Sequence, residues 1–463
     1  MSALFAAIFL LGLCLTNAIN FTTVYEWETL DFSWPLRVDS SIIGKMKQNF
    51  YPRKVQFQNM AVFGERLFLS LDREYGIPAT LVWLPTSDTS NAPPKLKPFP
   101  TWDFHKEDDC DTIQAAKGME ADTEGRLWVL DKGSSACPSK IWIFHLLNKD
   151  AIEHIHHFPD AVVSHSYYRR ELRDIVLDKT PDDYFAYITD YYAEQIVVFS
   201  RNTDKSWEVK TPGKRWNSLA LSANREARQL YLGSADSSEM YSVSVSELKI
   251  GSGSPTVKFI GTWTEFPYRM LIDSANVLYA AFKYQNYISK WNISESFRKQ
   301  RFHEVGSLFT PWPFTFAFDT NNNIWMTERN ETGSANRHKL LRAAVGVRSY
   351  LFNTPAASLT PQVNLKEETS TQMPTSSSGT TTQPALESNG TCGGLADLEE
   401  NYHKSQSLIT VLIWLLVCCL ICLVLSGAVI AWLTLRMRRM QTSLRHISKE
   451  NQELLPSSCE TRP

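Results

Sequence analysis

Six short stretches of this chain resemble one another, and their spacing constrains the fold more than any other feature. They read GERLFLSL from Gly64, EGRLWVLD from Glu124, DDYFAYITD from Asp182, ARQLYLGS from Ala227, ANVLYAAF from Ala275 and NNIWMTER from Asn322. With Leu67, Leu127, Phe185, Leu230, Leu278 and Ile324 as anchors, successive anchors lie 60, 58, 45, 48 and 46 residues apart. A period of that size built from short β-rich segments is what propeller blades produce. An apolar strand precedes each anchor (NMAVF, GMEAD, RDIVLD, NSLALS, RMLID, FTFAFD) and a third follows it (ATLVWL, KIWIFHL, QIVVF, MYSVSV, YISKWNI, KLLRAAV). Asp122, Asp178, Asp273 and Asp319 end four of the preceding strands, where an Asx side chain starts a turn. Outer fourth strands are expected at 95–102, 153–158, 207–211, 258–264 and 301–308. The sixth unit lacks one, and 24–30 (VYEWETL) is expected to supply it, closing the ring and removing its exposed edges. The reading is an all-β, six-bladed propeller, with helical periodicity nearly absent before residue 400. The 12% of aromatic residues suits its packed core, and a net charge of −2 gives no footprint for nucleic acid.

The flanks are organised for a membrane. Residues 4–15 are apolar, too short to span a bilayer, and end at Thr16-Asn17-Ala18, so 1–18 reads as a signal peptide cleaved before Ile19. Between 353 and 407 the composition turns to Ser, Thr, Pro and Gln (STQMPTSSSGTTTQP), which cannot offset the entropy of ordering and reads as an extracellular stalk. Residues 408–435 carry no charge, a run of 28 that exceeds the ~20 a transmembrane helix needs. Arg436, Arg438 and Arg439 follow directly, placing 436–463 in the cytosol and the domain 19–352 outside. The expectation is a single-pass type I protein of the cell membrane, with an ectodomain open to shedding. Sequons at Asn20, Asn292, Asn330 and Asn389 all precede the span.

Outside the signal and the span, Cys110, Cys137 and Cys392 are the extracellular cysteines. Cys110 and Cys137 close a loop of 27 residues, worth about 3–4 kcal/mol if bridged. Cys392 is then odd, left as a free thiol or as the link in a disulfide-bonded dimer.

DTEGRLWVLDKG, with Cys110 before it and Cys137-Pro138 after it, resembles the signature of the Yellow and major royal jelly protein family. YGIPATLVWL, TVYEWETLDFSWP, PDDYFAYITD and LALSA…LYLGS extend the resemblance over about residues 22–346 in the family's order. The resemblance implies a six-bladed propeller. It also implies a second cysteine pair that is missing here: Lys179-Thr180-Pro181 and Ser289-Lys290-Trp291 stand in its place. Relatives are linked to dopachrome conversion in melanin synthesis or to binding of biogenic amines or lipids. The stalk and span depart from a mostly secreted family.

In a propeller, ligands meet the central channel, lined by the innermost strand of each blade. The leading residues of the strands before each turn are Asn59, Lys117, Arg173, Asn217, Arg269 and Thr315, the expected ligand-binding set. It offers three cations and no acid, with Glu120 and Asp174 a short step along, so a channel calcium ion is not expected. If the three cations face inward they form a costly ring, offset in part by Glu120 and Asp174 or by cation–π contacts with Trp216 and Tyr268, and the remaining potential favours a carboxylate-bearing ligand. His154, His156, His157 and His165 read as an exposed outer-strand face rather than a metal site, because they lack ligands on separate elements. The acidic run at Glu107, Asp108, Asp109 and Asp111 reads as a solvated loop beside the disulfide. No G-x-S-x-G, H-E-x-x-H, P-loop or G-x-G-x-x-G stands in a fitting context, so no catalytic residue, cofactor or metal is assigned. The expected function is extracellular binding of a small molecule, or of a partner in cuticle, eggshell or pigmentation. The alternatives are a dopachrome-converting isomerase and a biogenic-amine carrier.

Overall fold

The computed structural model describes residues 19–35, 42–73, 76–87, 92–251, 254–282, 285–304, 315–332 and 335–352. The chain divides into two compact units, Met1–Gln362 and Val363–Pro463. The signal segment, stalk, span, tail, Asn389 and Cys392 all lie outside the described residues, as does the side chain of Asn330. Among the described residues no helix is long and apolar enough to cross a membrane.

Six four-stranded antiparallel sheets make up the first unit. The first blade runs Phe57–Phe63, Arg66–Leu71, Leu81–Pro85 and Lys97–Pro98, and the second Ala116–Ala121, Arg126–Asp131, Lys140–His145 and Ala151–His157. The third runs Leu172–Lys179, Tyr184–Asp190, Gln195–Ser200 and Lys205–Lys210, and the fourth Trp216–Leu221, Gln229–Ser234, Glu239–Ser244 and Lys258–Thr262. The fifth runs Pro267–Ile272, Val277–Phe282, Tyr287–Asn292 and Gln300–Glu304. Phe316–Phe318, Asn323–Thr332 and Ala335–Ala344 form three strands of the sixth, and Thr22–Trp27 adds the fourth as the sheet's outer strand. Its register sets Trp27 opposite His338 and Tyr25 opposite Leu340. The ring is therefore closed by the N-terminus, as the VYEWETL segment suggests.

At five of the six junctions the first strand of a blade packs against the first strand of the next, the sixth blade meeting the first, so these strands surround the axis. Side chains alternate along each strand into the interfaces between neighbouring blades, where Trp128, Trp142, Trp216 and Trp325 are among the largest fully buried groups. Trp216 thus fills a blade interface, its indole N–H donating to Thr211 Oγ1 at 2.8 Å, and does not reach the channel expected for it. The outer strand of the first blade is two residues, shorter than the expected 95–102. Two short helices, Ile42–Gln48 and Val245–Ile250, interrupt the β pattern.

The aspartates at the strand ends act as the sequence suggests, with more reach than a turn needs. Asp122 Oδ1 accepts from the amides of Glu124 (2.9 Å) and Arg126 (3.0 Å), and Oδ2 from Trp128 Nε1 (2.9 Å). Asp319 repeats this with Asn321 (2.8 Å), Asn323 (2.9 Å) and Trp325 Nε1 (2.9 Å), and Asp273 with Ala275 (2.8 Å), Val277 (2.9 Å) and the Tyr279 hydroxyl (3.0 Å). Each carboxylate closes a hairpin and pins the aromatic that follows it by six positions. Asp178 departs: it receives the Tyr187 hydroxyl at 3.1 Å and pairs with Arg228 and Lys249.

Candidate functional site at the channel mouth

Backbone irregularity, more than side-chain type, selects what faces the axis. In the first five blades the pairing of the innermost strand with its neighbour slips near its start: between Phe57 and Asn59, Ala116 and Met119, Leu172 and Ile175, Trp216 and Ser218, and Pro267 and Arg269. A bulge leaves a residue unpaired and re-aims its side chain. The residues inside these slips include Gln58, Lys117, Arg173, Asp174, Asn217 and Tyr268, and all of these line one cavity of about 350 Å³. Gly118 lies in the second slip because a Cβ there would meet the Ile175 backbone nitrogen of the next blade at 2.8 Å.

Five of the six expected residues, Asn59, Lys117, Arg173, Asn217 and Arg269, line this cavity. Thr315 is fully buried and does not; its amide faces Thr327 Oγ1 at 3.3 Å. In the first and fifth blades the bulged positions are Gln58 and Tyr268, one residue before Asn59 and Arg269, joined by the Tyr268 hydroxyl donating to Gln58 at 3.1 Å.

The three cations do not form an unneutralised ring. Lys117 Nζ lies 3.0 Å from Asp72 Oδ1, and Arg269 Nη1 lies 2.6 Å from Asp174 Oδ1. Arg173 donates to Asn217 Oδ1 at 2.6 Å, stands 3.7 Å from Glu171, and covers the Tyr191 ring at 4.2 Å. Lys132 pairs with Glu171 over the Tyr167 ring. The lining holds Arg73, Lys117, Lys132, Arg173 and Arg269 against Asp72, Glu171 and Asp174, so five minus three leaves +2. Asp72 and Glu171 escape a search of leading residues because they sit at strand ends. A signal for Asp72 exists: SLD, VLD and ITD close the second strand of the first three blades at Asp72, Asp131 and Asp190.

Asp174 is the hub of this site. Its Oδ1 accepts from Arg269 of the fifth blade and from the Ile175 amide (3.0 Å), while Asn59 of the first blade approaches at 3.4 Å; its Oδ2 accepts from the Leu219 amide of the fourth blade (2.9 Å). Burial pushes its carboxyl above the usual range, opposed by the Arg269 charge. Deeper in, Glu120 Oε2 accepts from the Tyr350 hydroxyl (2.9 Å) and the Leu177 amide (3.1 Å). Burial pushes Glu120 up to about 7, opposed by the Tyr350 hydrogen bond and Arg269. Tyr350, from the helical turn Tyr350–Phe352 after the last blade, also bonds the Leu177 carbonyl at 2.9 Å, plugging the axis. Among the described residues the lining includes no Ser, Cys or His, and its hydroxyls are those of Tyr167 and Tyr268.

Cys110 and Cys137 are bridged, with Cα atoms 5.1 Å apart. The loop they close is held from below by the fully buried Arg170, which donates to the carbonyls of Lys132 (3.0 Å), Ser134 (2.8 Å) and Cys137 (2.7 Å). Glu107, Asp108 and Asp111 are exposed beside the disulfide. Asn20 is exposed and Asn292 partly so, its Nδ2 donating to Glu295 at 3.2 Å. The histidine series is not a uniform exposed face: His156 is buried, and Asp204, from another blade, contacts both His154 and His156.

Residues 114–327 match the family described as "Major royal jelly protein". Protein yellow of Drosophila subobscura is 31% identical over 196 residues, covering 40% of this chain and 34% of that protein. Protein yellow of Drosophila melanogaster is 30% identical over 199 residues, covering 40% and 35%. The alignment thus spans about a third of the length of these curated relatives. A solved luciferin-regenerating enzyme superposes with a TM-score of 0.44 at 13% identity, over 65% of this chain and 94% of that one. Over residues 114–327 this chain is thus similar to the major royal jelly protein family, and over about two fifths of its length to Protein yellow.

Proposed function

We propose that this chain is a Yellow-like extracellular propeller, held on the cell membrane by residues 408–435, that binds a small aromatic molecule at the channel mouth. The observation that carries the reading is the convergence of bulged residues from five blades, with Tyr167, Phe266 and Tyr268, on one cavity of about 350 Å³. That volume suits a small ligand, and the three aromatics supply flat apolar contact for its ring. The residual +2 favours a ligand with a carboxylate, though less than three unpaired cations would, since each must trade a protein partner for the ligand. Acidic catechols are therefore expected to bind more tightly than dopamine or serotonin. Arg173, at 35% exposure the most accessible of the paired cations at the axis, is the first contact for the carboxylate.

Asp72 and Glu171 give the biogenic-amine carrier its own support, as acceptors for an ammonium group. Calorimetry on the purified chain with an acidic catechol, dopamine and serotonin separates the two. Tighter amine binding selects the carrier. Turnover of dopachrome well above a heat-killed control would replace binding by the isomerase reading. Sequons and stalk support an extracellular location.

A further inference from the structure

We propose that His154, His156 and Asp204 form a site for one divalent cation of the zinc type, bridging the outer edges of the second and third blades. His154 and His156 lie two apart on the strand Ala151–His157, so both rings project from one face. Asp204 belongs to the turn before Lys205–Lys210, the outer strand of the next blade, and holds a left-handed φ of 52° that fixes where its carboxylate points. The result is three ligands on two separate elements, with donor atoms all within 4.8 Å of one another.

The donor geometry is close to what a cation requires. His154 Nε2 and His156 Nδ1 both stand 2.8 Å from the same oxygen, Asp204 Oδ1. Tetrahedral coordination with bonds of about 2.0–2.1 Å separates ligand atoms by about 3.3 Å, so each histidine–Asp204 distance opens by about half an ångström to admit an ion. The Asp204 side chain, 55% exposed, can make that adjustment, and its exposure leaves a coordination position for water.

The surroundings orient the ligands as an outer shell does. His156 Nδ1 stands at hydrogen-bond distance from Asp204, and Nε2 lies 2.9 Å from Ser206 Oγ; on ion binding Nδ1 would give up its proton to free its lone pair, while Nε2–H donates to Ser206. The Phe199 ring lies 4.3 Å from the His156 ring and 6.3 Å from the His154 ring, and Phe158 meets His156 edge-on at 5.3 Å, fixing the ring planes. Two imidazoles with one carboxylate suit zinc, nickel or copper, whereas calcium and magnesium require sets dominated by oxygen. The bound ion would tie two blades at their rims, away from the channel.

The test is calorimetric titration of the full-length chain, freed of metal by chelator, with zinc chloride and with calcium chloride. One zinc ion per chain and no calcium binding are expected, with Asp204→Asn and His154→Gln each weakening zinc at least about tenfold. Cobalt substitution should give visible absorption bands that both variants lose. These two positions are exposed or partly exposed, so the variants keep the fold, which circular dichroism verifies. Absence of saturable zinc binding, or variants that bind as the parent does, would overturn the site and leave the three side chains as a hydrogen-bonded clasp between blades.

Discussion

Removing the Asp174 carboxylate should cost more than removing the Arg269 guanidinium it pairs with, although both take apart the same 2.6 Å contact. Asp174→Ala leaves a guanidinium that is 6% exposed and cannot shed its charge. An uncompensated buried charge costs about 3–5 kcal/mol. The substitution also strips the acceptor from the Leu219 amide, a buried donor that adds about 1–3 kcal/mol. Together these approach the ~5–15 kcal/mol that holds a typical domain folded. Arg269→Met differs because the orphaned carboxyl can take up a proton, a direction in which burial already pushes it. Arg269 Nε lacks a hydrogen-bond partner in its buried setting, so its loss also relieves a polar atom. A cost of about 2–3 kcal/mol is expected. In Arg269→Met the folded-state pKa of Asp174 lies above the unfolded ~3.9, so the folded state holds more protons between those values. The variant's deficit should therefore shrink at low pH and grow as pH rises through the folded-state pKa. Urea unfolding followed by tryptophan fluorescence, at pH 5 and pH 7 and referenced to the parent at each pH, measures this. The double variant should be more stable than Asp174→Ala alone. Equal costs for the two single variants, with no pH dependence in Arg269→Met, would refute the account of Asp174 as an ionised hub.

Glu120 titrates near 7 in the fold against an ordinary 4.5, so the parent should lose up to about 3 kcal/mol as pH rises between those values; Glu120→Gln should flatten that slope in the same assay. Cys137→Ser opens a loop of 27 residues and should lower stability by about 3–4 kcal/mol, read from the urea midpoint and from reduced secretion; unchanged values would show the bridge to be dispensable. Asp319→Ala frees two turn amides and the Trp325 indole N–H, and should cost about 2–3 kcal/mol with a shift in tryptophan emission. Protease added to intact cells should remove the propeller and spare a small fragment carrying residues 436–463; a tail epitope reachable without permeabilisation would reverse the proposed orientation.

The propeller was legible because each blade repeats the same local instructions. An apolar pair of strands, an aspartate at the turn and a third strand recur whatever the loops between them do, and the missing sixth outer strand was visible as VYEWETL. Five of the six expected channel residues reach the cavity, Thr315 being buried instead, and the register was legible to within one position because a bulge changes the facing of a side chain without leaving a mark in a hydrophobic pattern. That is why Gln58 and Tyr268 preceded the expected Asn59 and Arg269. Charge pairing was legible only in part: Asp174 stood out as an acid near the channel cations, and it does meet Arg269. Asp72 and Glu171 meet Lys117, Lys132 and Arg173 only after strands from different blades are side by side, and the partnership of Asp204 with His154 and His156 arises in the same way.

Closing the ring with its first strand gives synthesis of this domain a waiting period. Thr22 bonds Arg342 across 320 positions of sequence, so the outer strand of the last blade is made first and paired last. At about 5–20 residues per second, the gap lasts on the order of half a minute. Throughout it, Thr22–Trp27 is an open edge able to pair with another nascent chain, and the first blade lacks the neighbour it will pack against on that side. Tyr350 arrives later still, so the axis is sealed only after the ring is complete. A chain arrested within the sixth blade would hold five blades with an unclosed seam, which makes that blade the point where quality control can read whether the domain has finished folding.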